Sequence, residues 1–147
     1  MNIYEYFKDY NDKFYLMKDK LVAIKEAERN YVTLTGNKIT DTPKTSLNKN
    51  FDFSDQLAKI EKMLISYKKV EKEYLNLREK HLKEISKINN SKFRTILKLF
   101  FIERKNIKSV ANILNKTYKL DYSVDYIKKI KSQATKEFEK VTFLHEK

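Results

Sequence analysis

The chain has 147 residues with a formal net charge of +12, one Gly, one Pro, no Cys and no Trp. So few glycines exclude a phosphate-cradling P-loop or a dinucleotide-binding turn, and the lack of cysteine excludes disulfides, thiolate metal sites and cysteine nucleophiles. One Gly and one Pro leave too little turn chemistry for a many-stranded β fold, whereas 41% hydrophobic residues argue against wholesale disorder, so an all-α protein is expected.

The first segment, about Ile3 to Val32, carries apolar residues at Ile3, Phe7, Tyr10, Phe14, Met17, Leu21, Ile24 and Tyr31. The spacing alternates four and three, broken only at Glu28, which is the seam of a helix lying against a partner helix. Aromatics in half the seam positions suit an antiparallel hairpin or mixed bundle better than a parallel zipper. The opening residues Met1 to Asp9 are mixed in charge and aromatic, unlike a secretion signal. No stretch reaches the roughly 18 uncharged apolar residues of a membrane span, and a cytoplasmic location is expected.

Gly36 and Pro43 both fall between Leu34 and Phe51, among Thr, Ser and Asn side chains that bond their own backbone. That composition predicts a polar loop over about 34–52. Helicity is expected to resume near Ser54 as N-cap, with Asp55 in the first turn. Leu57, Ile60, Leu64 and Tyr67 form one stripe, drifting onto Val70, Tyr74, Leu77, Leu82, Ile85 and Ile88. The prediction is a long helix antiparallel to the first, making residues 1–90 a coiled-coil-like hairpin. His81 falls among charged residues and reads as solvated rather than catalytic or metal-binding.

Asn89-Asn90-Ser91 punctuates the chain, with Ser91 as the expected N-cap. Three shorter helices follow. The first puts Phe93, Ile96, Leu97, Phe100 and Phe101 on one broad face. The second carries Ile107, Val110, Ala111, Leu114 and Tyr118; the third, from Ser123, buries Ile127, Ile130, Ala134, Phe138 and Val141. Residues 91–147 hold 14 Lys+Arg against 6 Asp+Glu, two thirds of the net charge in under two fifths of the length. Lysine is abundant and Arg numbers only four, the bias of an AT-rich genome, so where charge sits matters more than its total.

Short helices, a small Ala111 in the middle one and a segregated basic charge predict a helix-turn-helix domain over 91–147. At 100° per residue, Asp125, Lys128, Lys129, Ser132 and Lys136 lie opposite the apolar side of the third helix. That face is the one a recognition helix lays into the major groove. Lys128, Lys129 and Ser132 would reach base edges or adjacent phosphate. Arg94, Lys98, Lys105, Lys108 and Lys136 would neutralise phosphates.

These residues carry a resemblance. Phe93 to Phe101, then Val110-Ala111-Asn112-Ile113-Leu114, then Ser123-Val124-Asp125-Tyr126-Ile127 are similar to region 4 of sigma factors. They also resemble small phage-encoded late-gene activators of the RinA/ArpU kind, which join a coiled-coil segment and polar linker to a sigma-like helix-turn-helix. Three features depart from the family pattern: about six extra residues, Lys116 to Asp121, precede Ser123, Tyr126 stands where Thr is usual, and the turn lacks its Gly. The resemblance implies a transcriptional regulator that binds double-stranded DNA as a homodimer and activates phage or mobile-element late genes, with Ser123 and Asp125 opening its recognition helix. The competing reading is a protein-interaction module whose hairpin binds RNA polymerase or another phage regulator. Neither an enzyme nor a cofactor or metal site is expected from these residues.

Overall fold

The computed structural model describes residues 1–37 and 43–143, with side chains described outside 32–53. Every regular element among them is helical, as the composition requires: α1 (Ile3–Tyr6), α2 (Lys8–Asn37), α3 (Pro43–Ser86), α4 (Ser91–Leu97), a π-helical turn (Lys98–Ile102), α5 (Ile107–Thr117) and α6 (Val124–Phe143). The residues fall into two compact units, Asn11–Leu75 and a larger one that joins Met1–Tyr10 to Asn76–Lys147.

In the smaller unit α2 and α3 run antiparallel. Lys13 Nζ pairs with Glu73 Oε2 at 2.6 Å, Lys20 Nζ donates to Ser66 Oγ at 2.8 Å, and Phe14 meets Tyr74 at 5.9 Å between ring centres. Between Lys13 and Lys20 on α2 the partner on α3 moves back from Glu73 to Ser66, as an antiparallel pair requires. The Lys13 ammonium holds the Glu73 carboxyl below its ordinary range. Ile24, Ile60 and Val70 are buried, with Met63, Tyr67 and Tyr74 half-buried between them.

Two local expectations change here. Leu57 and Leu64 are exposed, so the α3 seam is Ile60, Met63, Tyr67, Val70 and Tyr74, a three-four alternation displaced from the expected stripe. The polar loop over 34–52 is also shorter. Helix α2 runs through Gly36 to Asn37, and α3 begins at Pro43, so Ser54 lies inside the helix rather than capping it. Proline is accepted in a first helical turn, where its missing N–H has no partner to lose, and Thr, Ser and Asn weaken a helix by only tenths of a kcal/mol each. Residues 38–42 of the expected loop lie outside the described residues.

The larger unit is built around Phe7. A reciprocal cap starts the chain: Asn2 Oδ1 accepts the Glu5 N–H at 2.9 Å, and the Glu5 carboxylate accepts the Asn2 N–H. Ile3 in this short helix, Phe7 at its C-cap and Tyr10 in the first turn of α2 are all buried in the unit's core. The Phe7 ring stacks on Phe101 at 5.2 Å and meets Phe138 at 5.7 Å and His81 at 4.6 Å. Tyr10 donates its hydroxyl to the Ile102 carbonyl at 3.0 Å. The core therefore reaches beyond 91–147, taking in the first ten residues and the end of α3.

The π-helical turn explains which residues of the next segment are buried. Its wider turn, with Glu103 N–H bonding the Lys98 carbonyl at 2.9 Å, aligns residues five apart. Ile96 and Leu97 thus share a buried side with Phe101 and Ile102, whereas Phe93 and Phe100 are half-buried. The cap of α4 is Asn90, whose Oδ1 accepts the N–H groups of Lys92 and Phe93; Ser91 is the first helical residue. With glycine so scarce, two helical segments end on non-glycine residues in the left-handed region, Arg104 (φ 55) and Lys119 (φ 56). Arg104 folds back so that its guanidinium lies 4.3 Å from the Tyr10 ring centre.

His81 is 3% exposed, not solvated, and neither ring nitrogen has a hydrogen-bond partner among the described residues. It completes the three-four alternation that α3 follows from Ile60, and its neighbours are the rings of Tyr6, Phe7 and Tyr10. Burial pushes its pKa down to about 4, with Lys80 acting in the same direction and Asp9 against it.

Two outcomes follow from this core. Phe7→Ala should lower unfolding stability by about 3–5 kcal/mol, seen as a lower urea midpoint, whereas Tyr15→Ala at an exposed site should change it by less than about 0.5 kcal/mol. For His81, the unfolded chain takes up a proton near pH 6.5 that the folded ring refuses until about pH 4. Stability should therefore fall as pH drops through that window, by roughly 3 kcal/mol from this group. Denaturation of the His81→Leu variant at neutral pH and at pH 4 should show a correspondingly smaller loss; equal losses would remove His81 as the cause.

Candidate nucleic-acid interface

Helix α6 is amphipathic at the level of single residues. Ile127, Ile130, Ala134 and Phe138 are buried, on a helix that packs against α4, α5 and α1, and Val141 is half-buried. Asp125, Lys128, Lys129, Ser132 and Lys136 are all exposed, on the opposite side. The start of the helix is fixed by Ser123, whose Oγ accepts the Tyr126 N–H at 3.1 Å, and Asp125 places a carboxylate in the positive first turn. At 1.5 Å rise per residue, Lys128, Ser132 and Lys136 span about 12 Å along one edge of this face.

The connection into α6 is long but tied down. Asn115 grips Tyr122 twice, accepting its N–H at 2.8 Å and donating to its carbonyl at 3.1 Å. The Leu120 N–H bonds the Leu114 carbonyl at 3.3 Å, closing the end of α5 around Lys119. The stretch between α5 and α6 is thus a turn closed by these hydrogen bonds. Across it, Lys92 Nζ donates to the Tyr126 hydroxyl at 3.2 Å and lies 5.4 Å from the Tyr122 ring centre. These two hydroxyls hold the Lys92 ammonium above the ordinary lysine range.

The other expected contact residues divide. Lys98, Lys105 and Lys108 are exposed, with Lys108 in the first turn of α5, a helix capped by Asn106 through the Ser109 N–H at 2.8 Å. Arg94 is committed elsewhere. It is half-buried, and its guanidinium donates to the carbonyls of Ile88 and Asn89, stapling the end of α3 to α4. That bonding engages Nη1 of Arg94 in holding the stretch between α3 and α4.

Two residues join this surface that helix periodicity alone did not select. Tyr4 and Lys131 border an open groove of about 360 Å³ with Lys128, Ser132, Thr135, Lys136 and Glu139. Tyr4 is about 130 residues away in sequence, and no local pattern could have paired it with α6. Lys131 sits on the flank of the helix, between its two faces, where periodicity assigns neither role.

Among the described residues no group of three or more His, Asp or Glu side chains could hold a metal ion, and no helix is long and apolar enough to cross a membrane. Comparison with family models, with curated proteins and with solved structures found no match to this chain.

Proposed function

We propose that the protein binds duplex DNA through the outer face of α6 and regulates transcription, with α5 and α6 acting as a helix-turn-helix and α6 as its recognition helix. The observation that carries this reading is the division of α6: four buried apolar residues on one side, and three lysines, a serine and an aspartate exposed on the other. A helix held this firmly by one face can enter a major groove with the other at little entropic cost. Lys128, Lys129 and Ser132 reach base edges; Lys98, Lys105, Lys108 and Lys136 meet phosphates. The resemblance to phage late-gene activators makes activation the expected outcome, from a homodimer in the cytoplasm, since one such helix reads few base pairs.

A second reading has its own observation. The smaller unit exposes Tyr15, Val22, Leu57, Ile65 and Leu75, with Ile65 at 70%. Apolar side chains of that number on two helices fit contact with another protein, such as RNA polymerase, a phage regulator or a second copy.

Gel-shift titration of the full chain against the DNA flanking its own gene, across a salt series, tests the first reading. The parent should bind with a log–log salt slope of about −4 to −6, set by its phosphate-facing lysines. Lys128→Glu combined with Lys129→Glu should reduce affinity at least about 100-fold with helicity unchanged. Binding equal to the parent's would remove α6 as the reading helix. No binding at low salt would leave the protein-interaction reading in its place.

A further inference from the structure

The groove beside α6 is walled on one side by the beginning of the chain. Glu139 Oε1 accepts the Ile3 N–H at 3.2 Å, and Ile3 is fully buried, so the segment is anchored to α6 by this bond and to the core by its side chain. The anchor holds Tyr4 at the edge of the groove, with its ring 5.6 Å from Phe101 and the residue 61% exposed. The Tyr4 hydroxyl has no hydrogen-bond partner among the described residues. It is therefore a donor held in place by a packed ring and open to a ligand.

Lys131 forms the floor. Its ammonium lies 4.5 Å from the Phe100 ring centre, 5.7 Å from Phe101 and 5.9 Å from Tyr4. Three rings on a half-buried lysine restrict its rotamers, so the charge is positioned before any ligand arrives. Lys128 and Lys136 add two more cations, and Ser132 and Thr135 add hydroxyls. Glu139 is the one acidic residue in the lining, and its Oε1 already holds the Ile3 N–H. Fixed cations with hydroxyl donors in an open, shallow groove complement a chain of phosphodiesters.

We infer that the first turn of the protein is part of the DNA-binding surface, with Tyr4 and Lys131 seating the sugar–phosphate backbone that flanks the bases α6 reads. This rests on the DNA-binding reading of α6. The Tyr4 hydroxyl donates to a phosphate oxygen, and Lys131 neutralises that phosphate or its neighbour. The contact is independent of base sequence and fixes how α6 is turned in the groove.

Fluorescence anisotropy of the full chain with a labelled mixed-sequence duplex, at low salt and across a salt series, tests this. Tyr4→Phe keeps the packed ring and removes only the exposed hydroxyl; it should weaken binding about 3- to 10-fold without moving the unfolding midpoint. Lys131→Met keeps the apolar stem over Phe100 and should make the salt slope shallower by about one. If both variants bind as the parent does, with the same slope, while the Lys128→Glu and Lys129→Glu pair loses binding, the groove is not a DNA contact and α6 alone carries it. If the parent itself binds no duplex at low salt, both the groove and the α6 reading fall.

Discussion

The larger unit depends on one ring. Phe7 lies within stacking or edge distance of Phe101, Phe138, His81, Tyr6 and Tyr10, residues drawn from the start of the chain, the end of α3, the π-helical turn and α6. Each of those elements is too short or too polar to bury its own apolar side. Three or four such ring contacts, beyond the area they bury, are each worth about 0.5–1.5 kcal/mol, a large share of the margin of a small domain. The buried polar groups of the core are arranged around the same cluster: Tyr10 bonds the Ile102 carbonyl, Arg104 covers Tyr10, and His81 is kept neutral among the rings.

That arrangement ties stability to the candidate interface. Phe138 is both a Phe7 contact and one of the four residues that fix the inner face of α6. The outer lysines of α6 are therefore presented by a helix whose rotation is set by the aromatic core. The π-helical turn serves the same end, since only a wider turn lets Ile96, Leu97, Phe101 and Ile102 share one side. Arg94 contributes from behind, by holding the chain between α3 and α4. Its loss would disturb the presentation of the face.

Much of this was legible in the residues. The scarcity of Gly and Pro pointed to helices, the Ile3-to-Tyr31 stripe is the face that is buried or half-buried, and the inner and outer residues of α6 fall where a 100° period puts them. Periodicity reports which side of a helix is apolar, but not which element covers it. Ile3, Phe7 and Tyr10 read as the seam of a hairpin, whereas they enter the core of the unit that holds α6. His81 read as solvated because lysines and glutamates flank it in sequence, although its own position in the three-four alternation is an inner one. The π-helical turn has no periodic signature of its own, and Tyr4 meets α6 only through the fold. Composition alone overstates the loop over 34–52, because Thr, Ser and Asn weigh less against a helix than an acceptable first turn at Pro43 weighs for one.

The proposed DNA contact is the outer face of α6 and the groove beside it, in a unit completed by the first ten residues. Amide chemical-shift mapping of the isotope-labelled full chain during titration with a duplex examines that contact residue by residue. The account places the largest shifts at residues 123–136, with smaller ones at Tyr4 and around Lys105 and Lys108, and leaves 11–75 unchanged. Shifts concentrated in 11–75, with 123–136 unmoved, would contradict it.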